Sequence, residues 1–236
     1  MPEKDPNANV NRNRVTRFDK HKKPHHPWRR FFKIVFGLLV LGIISGSGLF
    51  AYYASSAPTI TRNALASDNS TKFYDAQGQV ISRLGSQNRD YVQSKDIPAT
   101  LEHAVVSIED RRFYKHGGVD PLRIIGAAFA DLTGSKLGLQ GGSTLTQQLV
   151  KLSVFSTNAS DRTIKRKAQE AWLAIKVDKD YSKPQILEFY INKVYMGNGV
   201  YGMQTAAEYY FNKSLSQLNL QQFALLAGMP QAPTLY

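Results

Sequence analysis

Residues 34–53 read IVFGLLVLGIISGSGLFAYY, an apolar run with no charged side chain. A helix needs about 20 such residues to cross the roughly 30 Å hydrocarbon core of a bilayer, so a transmembrane helix is expected here. Trp28 before the run and Tyr52 and Tyr53 at its end stand where interfacial aromatics anchor a span. Lys4, Arg12, Arg14, Arg17, Lys20, Lys22, Lys23, Arg29, Arg30 and Lys33 precede it, against only Glu3, Asp5 and Asp19. That bias implies a single-pass protein of the cell membrane, with its N-terminus in the cytoplasm and everything past Tyr53 outside. A cleaved signal peptide competes, because Ser45, Gly46, Ser47 and Gly48 supply small residues, but the run exceeds the usual apolar core of about 7 to 15 residues. Gly42, Gly46 and Gly48 also give a small-xxx-small spacing, which suits either a helix-pairing face or ordinary membrane-helix composition.

The formal net charge of the 236-residue chain is +12. More than half of the excess lies in residues 1–33, which also hold His21, His25 and His26 and almost nothing apolar. A segment of that kind cannot bury enough surface to fold, so a disordered basic tail is expected. Positive charge beside a cytoplasmic leaflet is explained by orientation and anionic lipid. No zinc-finger, RNP or Walker pattern follows it, so nucleic acid is not expected as a partner. The chain has no cysteine, which excludes a disulfide framework and a thiolate zinc site.

Residues 54–71 are rich in Ser, Thr, Ala and Asn, as in a tether. Residues 72–236 then form one domain. A turn at Asp75, Gln77 and Gly78 suggests a small hairpin or extended segment within residues 73–92. Beyond it the pattern is helical. Helices are expected from Asp96 and Pro98 through Ile108, from Asp120 and Pro121 to near Gly134, and from Ser143, Ser160 and Ser182, with a last one at residues 215–229. In the helix after Ser160, Ile164, Ala168, Ala171, Trp172 and Ile175 fall on one stripe that should pack inward. Arg162, Arg166 and Glu170 then share another face.

Three clusters carry candidate chemistry: EDRRFYKHG at residues 109–117, GGSTLTQQLVK at 141–151 and RTIKRKAQE at 162–170. Each alone has a plain reading, as a solvated carboxylate, a loop with a helix cap, or a surface ion pair. Together they match one reaction type. Extending a sugar chain from a phosphate-activated donor needs a base for the attacking hydroxyl and cations for the departing phosphate. Glycoside hydrolysis would instead use an acid and base pair of carboxylates. Glu109, preceded by an apolar run, suits a base with a raised pKa, and Lys151, Arg162, Arg166 and Lys167 suit the clamp.

In order, EDRRFYKHGG, GGSTLTQQLVK, RTIKRKAQE, KPQILEFYINKVYMGNGVYG and LQQFALLAGMPQAP resemble the five signature motifs of the family 51 glycosyltransferases. These are the polymerase domains of class A penicillin-binding proteins and of monofunctional peptidoglycan glycosyltransferases. The resemblance runs from about Phe73 to the end of the sequence. It implies a mainly α, lysozyme-like domain with a small extended segment at its start and a jaw near the membrane. It also implies polymerisation of lipid II into β-1,4 glycan with release of undecaprenyl pyrophosphate. Glu109 matches the catalytic glutamate, and Glu170 the essential second glutamate. Phe113 and His116 would shape the cleft. Ser143, Thr144, Gln148 and Lys151 would line the donor site, with Arg162, Arg166 and Lys167 as its basic part. Asn192, Tyr195, Gly197 and Gly202 fall in the fourth motif, which mainly holds the site together, and Asn192 is also counted among the substrate-binding candidates. Residues 124–139 would lie near the jaw, although an internal core helix suits them equally.

The expected partners are lipid II, the growing glycan strand, the membrane and other cell-wall synthesis or division proteins. No cofactor is required and no metal ligand is assigned, although Mg or Mn could assist the pyrophosphate. Two departures stand out. Lys151 is followed by Leu152 where the second motif commonly has Asn, and the sequence stops at Tyr236, inside the fifth motif. Neither a Ser-x-x-Lys nor a Lys-Thr-Gly motif occurs, so no transpeptidase site is expected in these residues, and either a truncated open reading frame or a fragment of a bifunctional enzyme is the expectation. The competing functions are a lysozyme-like hydrolase or lytic transglycosylase, and an inactive membrane-anchored cell-wall scaffold.

Overall fold

The computed structural model describes residues 27–66, 70–84, 89–133, 142–155, 161 and 163–233. Most of the expected basic tail, and Arg162, lie outside them. The chain divides into two compact units, Met1–Gly46 and Ser47–Tyr236. The described part of the first is the start of one long helix, α1 (Pro27–Ser55), which begins ahead of the uncharged run and takes in Arg29, Arg30 and Lys33. Residues Trp28–Ser55 are long and apolar enough to cross a membrane. Trp28, Phe31 and Phe32 cluster at its beginning, with Phe31 edge-on to both of the other rings.

The second unit is mainly α. It opens with the end of α1, a one-turn helix α2 (Arg62–Leu65) and an antiparallel pair, β1 (Thr71–Tyr74) with β2 (Val80–Leu84). Asp75 sets the turn by accepting from the amides of Gln77 and Gln79. The helices α3 (Ala99–Glu109), α4 (Pro121–Thr133), α5 (Leu145–Val154), α6 (Ile164–Asp180), α7 (Lys183–Lys193), α8 (Met203–Phe211) and α9 (Leu220–Gly228) follow. Helix α3 packs on α9, and α5 lies between α6 and α7. Leu101, Val105, Leu145, Leu149, Ile186, Tyr190 and Leu226 meet in the core.

Several expectations need correction. The tether is docked: Leu65 is fully buried, and Gln169 donates to the carbonyl and hydroxyl of Ser56. The third expected helix is capped by Thr144, not Ser143, because Thr144 and Gln147 exchange the paired hydrogen bonds of a capping box. The last expected helix is broken, since Asn219 forms its own capping box and starts α9. Helix α8 was not expected. It starts at Gly202, whose φ of +80° and close approach to the Asn192 carbonyl leave no room for a Cβ. Helix α4 is not a core helix, because Leu122, Ile124 and Ile125 are exposed.

The largest correction concerns α6. Ile164 is 78% exposed, Trp172 39% and Ile175 41%, so the expected inward stripe faces out. The buried face is Arg166, Gln169, Glu170, Leu173, Ala174 and Val177. Charged groups tolerate burial when they are paired and hydrogen-bonded. Arg166 and Lys167 both pair with Glu170 here, so apolar spacing misidentified the inner side.

Candidate active site

Helix α3 stops where Asp110 leaves helical geometry, and this turn places two adjacent carboxylates in different environments. Asp110 is fully buried and its Oδ2 accepts from the first amide of α5, Leu145 N, at 3.0 Å. A carboxylate at a helix N-terminus meets unpaired amides and the positive end of the helix dipole. His116 Nε2 lies 2.9 Å from the same oxygen, and Arg123 Nη1 lies 3.4 Å from the other. Burial alone would raise the Asp110 pKa, but these three partners hold it below the ordinary value.

This junction ties the end of α3 to the start of α5 and brings Glu109 beside Gln148. Glu109 is 8% exposed, and its Oε2 accepts from Gln148 Nε2 at 2.7 Å. Its backbone carbonyl accepts from Arg123 Nη1 at 3.0 Å. Burial raises the Glu109 pKa, against the opposing influence of Gln148, Arg123 and Lys151. The Gln148 carbonyl oxygen faces the hydroxyl of the fully buried Tyr190, which sets the amide's orientation.

Glu109 opens onto a cleft of about 330 Å³ whose walls include Arg123, Ser143, Gln148, Lys151, Lys167 and Glu170. A second cleft, of about 540 Å³, shares Ser143, Lys151, Lys167 and Glu170 and adds Thr163, Ile164 and Arg166. The shared wall is fixed by ion pairs. Arg166 Nε lies 3.0 Å from Glu170 Oε1, Lys167 Nζ lies 2.7 Å from Glu170 Oε2, and Lys167 also donates to Ser143 Oγ at 2.8 Å. Arg166 stacks over Phe155, and its Nη1 is buried without a hydrogen-bond partner among the described residues.

Of the residues expected at the site, Glu109, Ser143, Gln148, Lys151, Arg166, Lys167 and Glu170 line these clefts, and Arg162 lies outside the described residues. Four others, Phe113, His116, Thr144 and Asn192, line neither cleft. Phe113 is fully buried beneath the Lys183 ammonium, and His116 is held by Asp110. Thr144 caps α5 and donates to the Gly118 carbonyl. Asn192 bonds both backbone groups of Val92 and the carbonyl of Glu188, fastening α7 to the segment before α3. The sequence reasoning missed Arg123 and Asp110. A lone arginine in the apolar start of α4, and a second acid beside Glu109, were the available signals. Among the described residues no group of three or more His, Asp or Glu side chains could hold a metal ion.

Residues 77–236 match the sequence family described as Transglycosylase. Penicillin-binding protein 1A of Streptococcus pneumoniae is 54% identical over 199 residues, covering 84% of this chain and 27% of that protein. Penicillin-binding protein 1A/1B of Bacillus subtilis is 43% identical over 210 residues, covering 87% of this chain and 22% of that protein. The chain thus spans about a quarter of the length of these relatives. Among solved structures, penicillin-binding protein 1A of Haemophilus influenzae aligns with a TM-score of 0.35 and 24% identity, over 71% of this chain and 15% of that one.

Proposed function

This chain belongs to the transglycosylase family, and from that premise we propose that it is a peptidoglycan glycosyltransferase, polymerising lipid II into β-1,4 glycan during cell-wall synthesis. One observation carries the reading: the buried carboxylate of Glu109 shares a cleft with Lys151 and Lys167. A base and a set of cations are what glycosyl transfer from a diphosphate donor needs.

In the proposed reaction Glu109 takes the proton from the 4-hydroxyl of the acceptor sugar as that oxygen attacks the anomeric carbon of the donor. The new glycosidic bond forms while the bond from that carbon to the diphosphate oxygen breaks. The polyprenyl diphosphate leaves with the electron pair, and its charge is met by Lys151, Arg166 and Lys167. Because the leaving group departs without a proton, no acid is needed. Gln148 orients the base. Glu170 is a positioning residue in this reading, since each of its oxygens is engaged by a cation that it aims at the diphosphate. Phe113, His116, Thr144 and Asn192 act from behind the walls.

Two carboxylates in one cleft is also the equipment of a glycan hydrolase. Glu170 is poorly placed to be its acid, because both of its carboxylate oxygens are already engaged, one by Arg166 and the other by Lys167. We read α1 as the membrane span, with the basic residues before it on the cytoplasmic side and the catalytic unit outside. Incubation of the protein in membranes with lipid II, and separately with finished glycan, tests the proposal. Strands growing from the first support it, and fragments appearing only from the second would replace it with hydrolysis.

A further inference from the structure

The outward stripe on α6 leaves apolar side chains in the open on a helix whose other face builds the candidate active site. Its two ends are informative. Ile164 lines the cleft that holds Arg166, Lys167 and Glu170. Trp172 lines a separate, mostly apolar groove of about 490 Å³, walled also by Phe50, Ala54, Pro58, Leu173 and Lys176. Phe50 and Ala54 belong to the last turns of α1, the helix read as crossing the membrane. Residues 164, 168, 171, 172 and 175 share one face of α6, over roughly 16 Å of helix at 1.5 Å per residue, and Ile164 and Trp172 carry that face to the two cavities.

We propose that this stripe and groove form a track for the polyprenyl chain of the lipid-linked diphosphate. The inference rests on the glycosyltransferase reading and names a binding surface for the part of the ligand that does not react. A diphosphate held by Arg166 and Lys167 carries a long hydrocarbon chain that must reach the bilayer. Ile164 offers it apolar surface at the cleft wall, Trp172 and Ile175 continue that surface, and the groove receives it where the chain leaves α1. A face that only rested on lipid would have no reason to run from a cationic cleft to a groove. Covering these side chains with the ligand's own chain removes apolar surface from water at each step.

Two measurements on the full chain in vesicles test the track. The first uses polyprenyl diphosphate carrying a photoreactive group along its chain, with peptide mapping of the labelled sites. Labelling of residues 164–175 that unlabelled polyprenyl diphosphate suppresses and excess phospholipid does not is expected. Equal labelling by a phospholipid with the same group would mean that this face simply lies on the bilayer, and labelling confined to other segments would also overturn the track. The second compares lipid II with an analogue whose polyprenyl chain is shortened. A Trp172→Ser, Ile175→Ser double variant should raise KM for the long-chain substrate by roughly tenfold, the scale set by losing two partly buried apolar side chains, and leave KM for the short-chain substrate unchanged. Unchanged KM for both substrates, or a parallel rise on both in a variant that melts like the parent, would overturn the proposal. If the parent protein polymerises neither substrate, the glycosyltransferase reading fails, and the labelling experiment decides the track by itself.

Discussion

Glu109 is pulled in two directions, by burial that favours its neutral form and by Gln148, Arg123 and Lys151 that favour its charge. Burial prevails, so the acidic limb of the rate profile should fall above the ordinary glutamate value of 4.5, with activity lost as pH drops through it. Gln148→Leu removes the hydrogen bond that opposes burial. It should move that limb to still higher pH, as read from kcat/KM against pH; a limb that stays put would separate Gln148 from the base. Glu170→Gln should behave differently. It loosens Arg166 and Lys167, so KM for lipid II should rise by about tenfold, the worth of one weakened charge-assisted contact, while the acidic limb stays where it was. Loss of the limb in that variant would make Glu170 the titrating base. Glu109 and the cations were legible in the sequence because each sits in a short motif with its own chemistry. Asp110 and Arg123 were not, since their importance arises only when the end of α3, the start of α4 and the start of α5 meet.

At the scale of elements, the site depends on how α5 and α7 are fastened. Thr144 caps α5 and bonds Gly118, whose φ of +83° and contact with the Ala174 carbonyl admit only glycine. Thr144→Ala should cost about 1 to 2 kcal/mol in denaturant unfolding, the range for losing such a cap. Asn192→Ala leaves both backbone groups of Val92 without their side-chain partner, and should cost roughly 2 to 4 kcal/mol as two buried polar groups lose satisfaction. At temperatures where this variant stays folded its KM should match the parent's, whereas a raised KM would support a substrate contact by Asn192. Most helix starts were readable from cap residues and early prolines. The orientation of α6 was not, because Arg166 and Glu170 pair with each other one turn apart and so tolerate the interior, while the apolar stripe that periodicity would bury faces outward. Helix α8 escaped notice because it opens on a glycine with positive φ rather than on a polar cap.

For the molecule as a whole, placing a carboxylate in a buried cleft trades stability for reactivity. A folded-state pKa raised above the unfolded one means that Glu109 favours folding while protonated in both states. That contribution is lost as pH rises through the folded value. Glu109→Gln should therefore melt at a higher temperature than the parent at neutral pH, and the difference should close below the ordinary carboxylate range; a lower melting temperature at neutral pH would contradict the burial argument. The same variant gives the most direct test of the central claim, that Glu109 is the base in a cleft whose cations hold a diphosphate. Lipid II polymerisation and polyprenyl diphosphate binding should be measured side by side on the parent and Glu109→Gln proteins in vesicles. The account predicts that polymerisation falls roughly 100- to 10,000-fold, the usual cost of losing a general base, with binding unchanged. Polymerisation at the parent rate would contradict it.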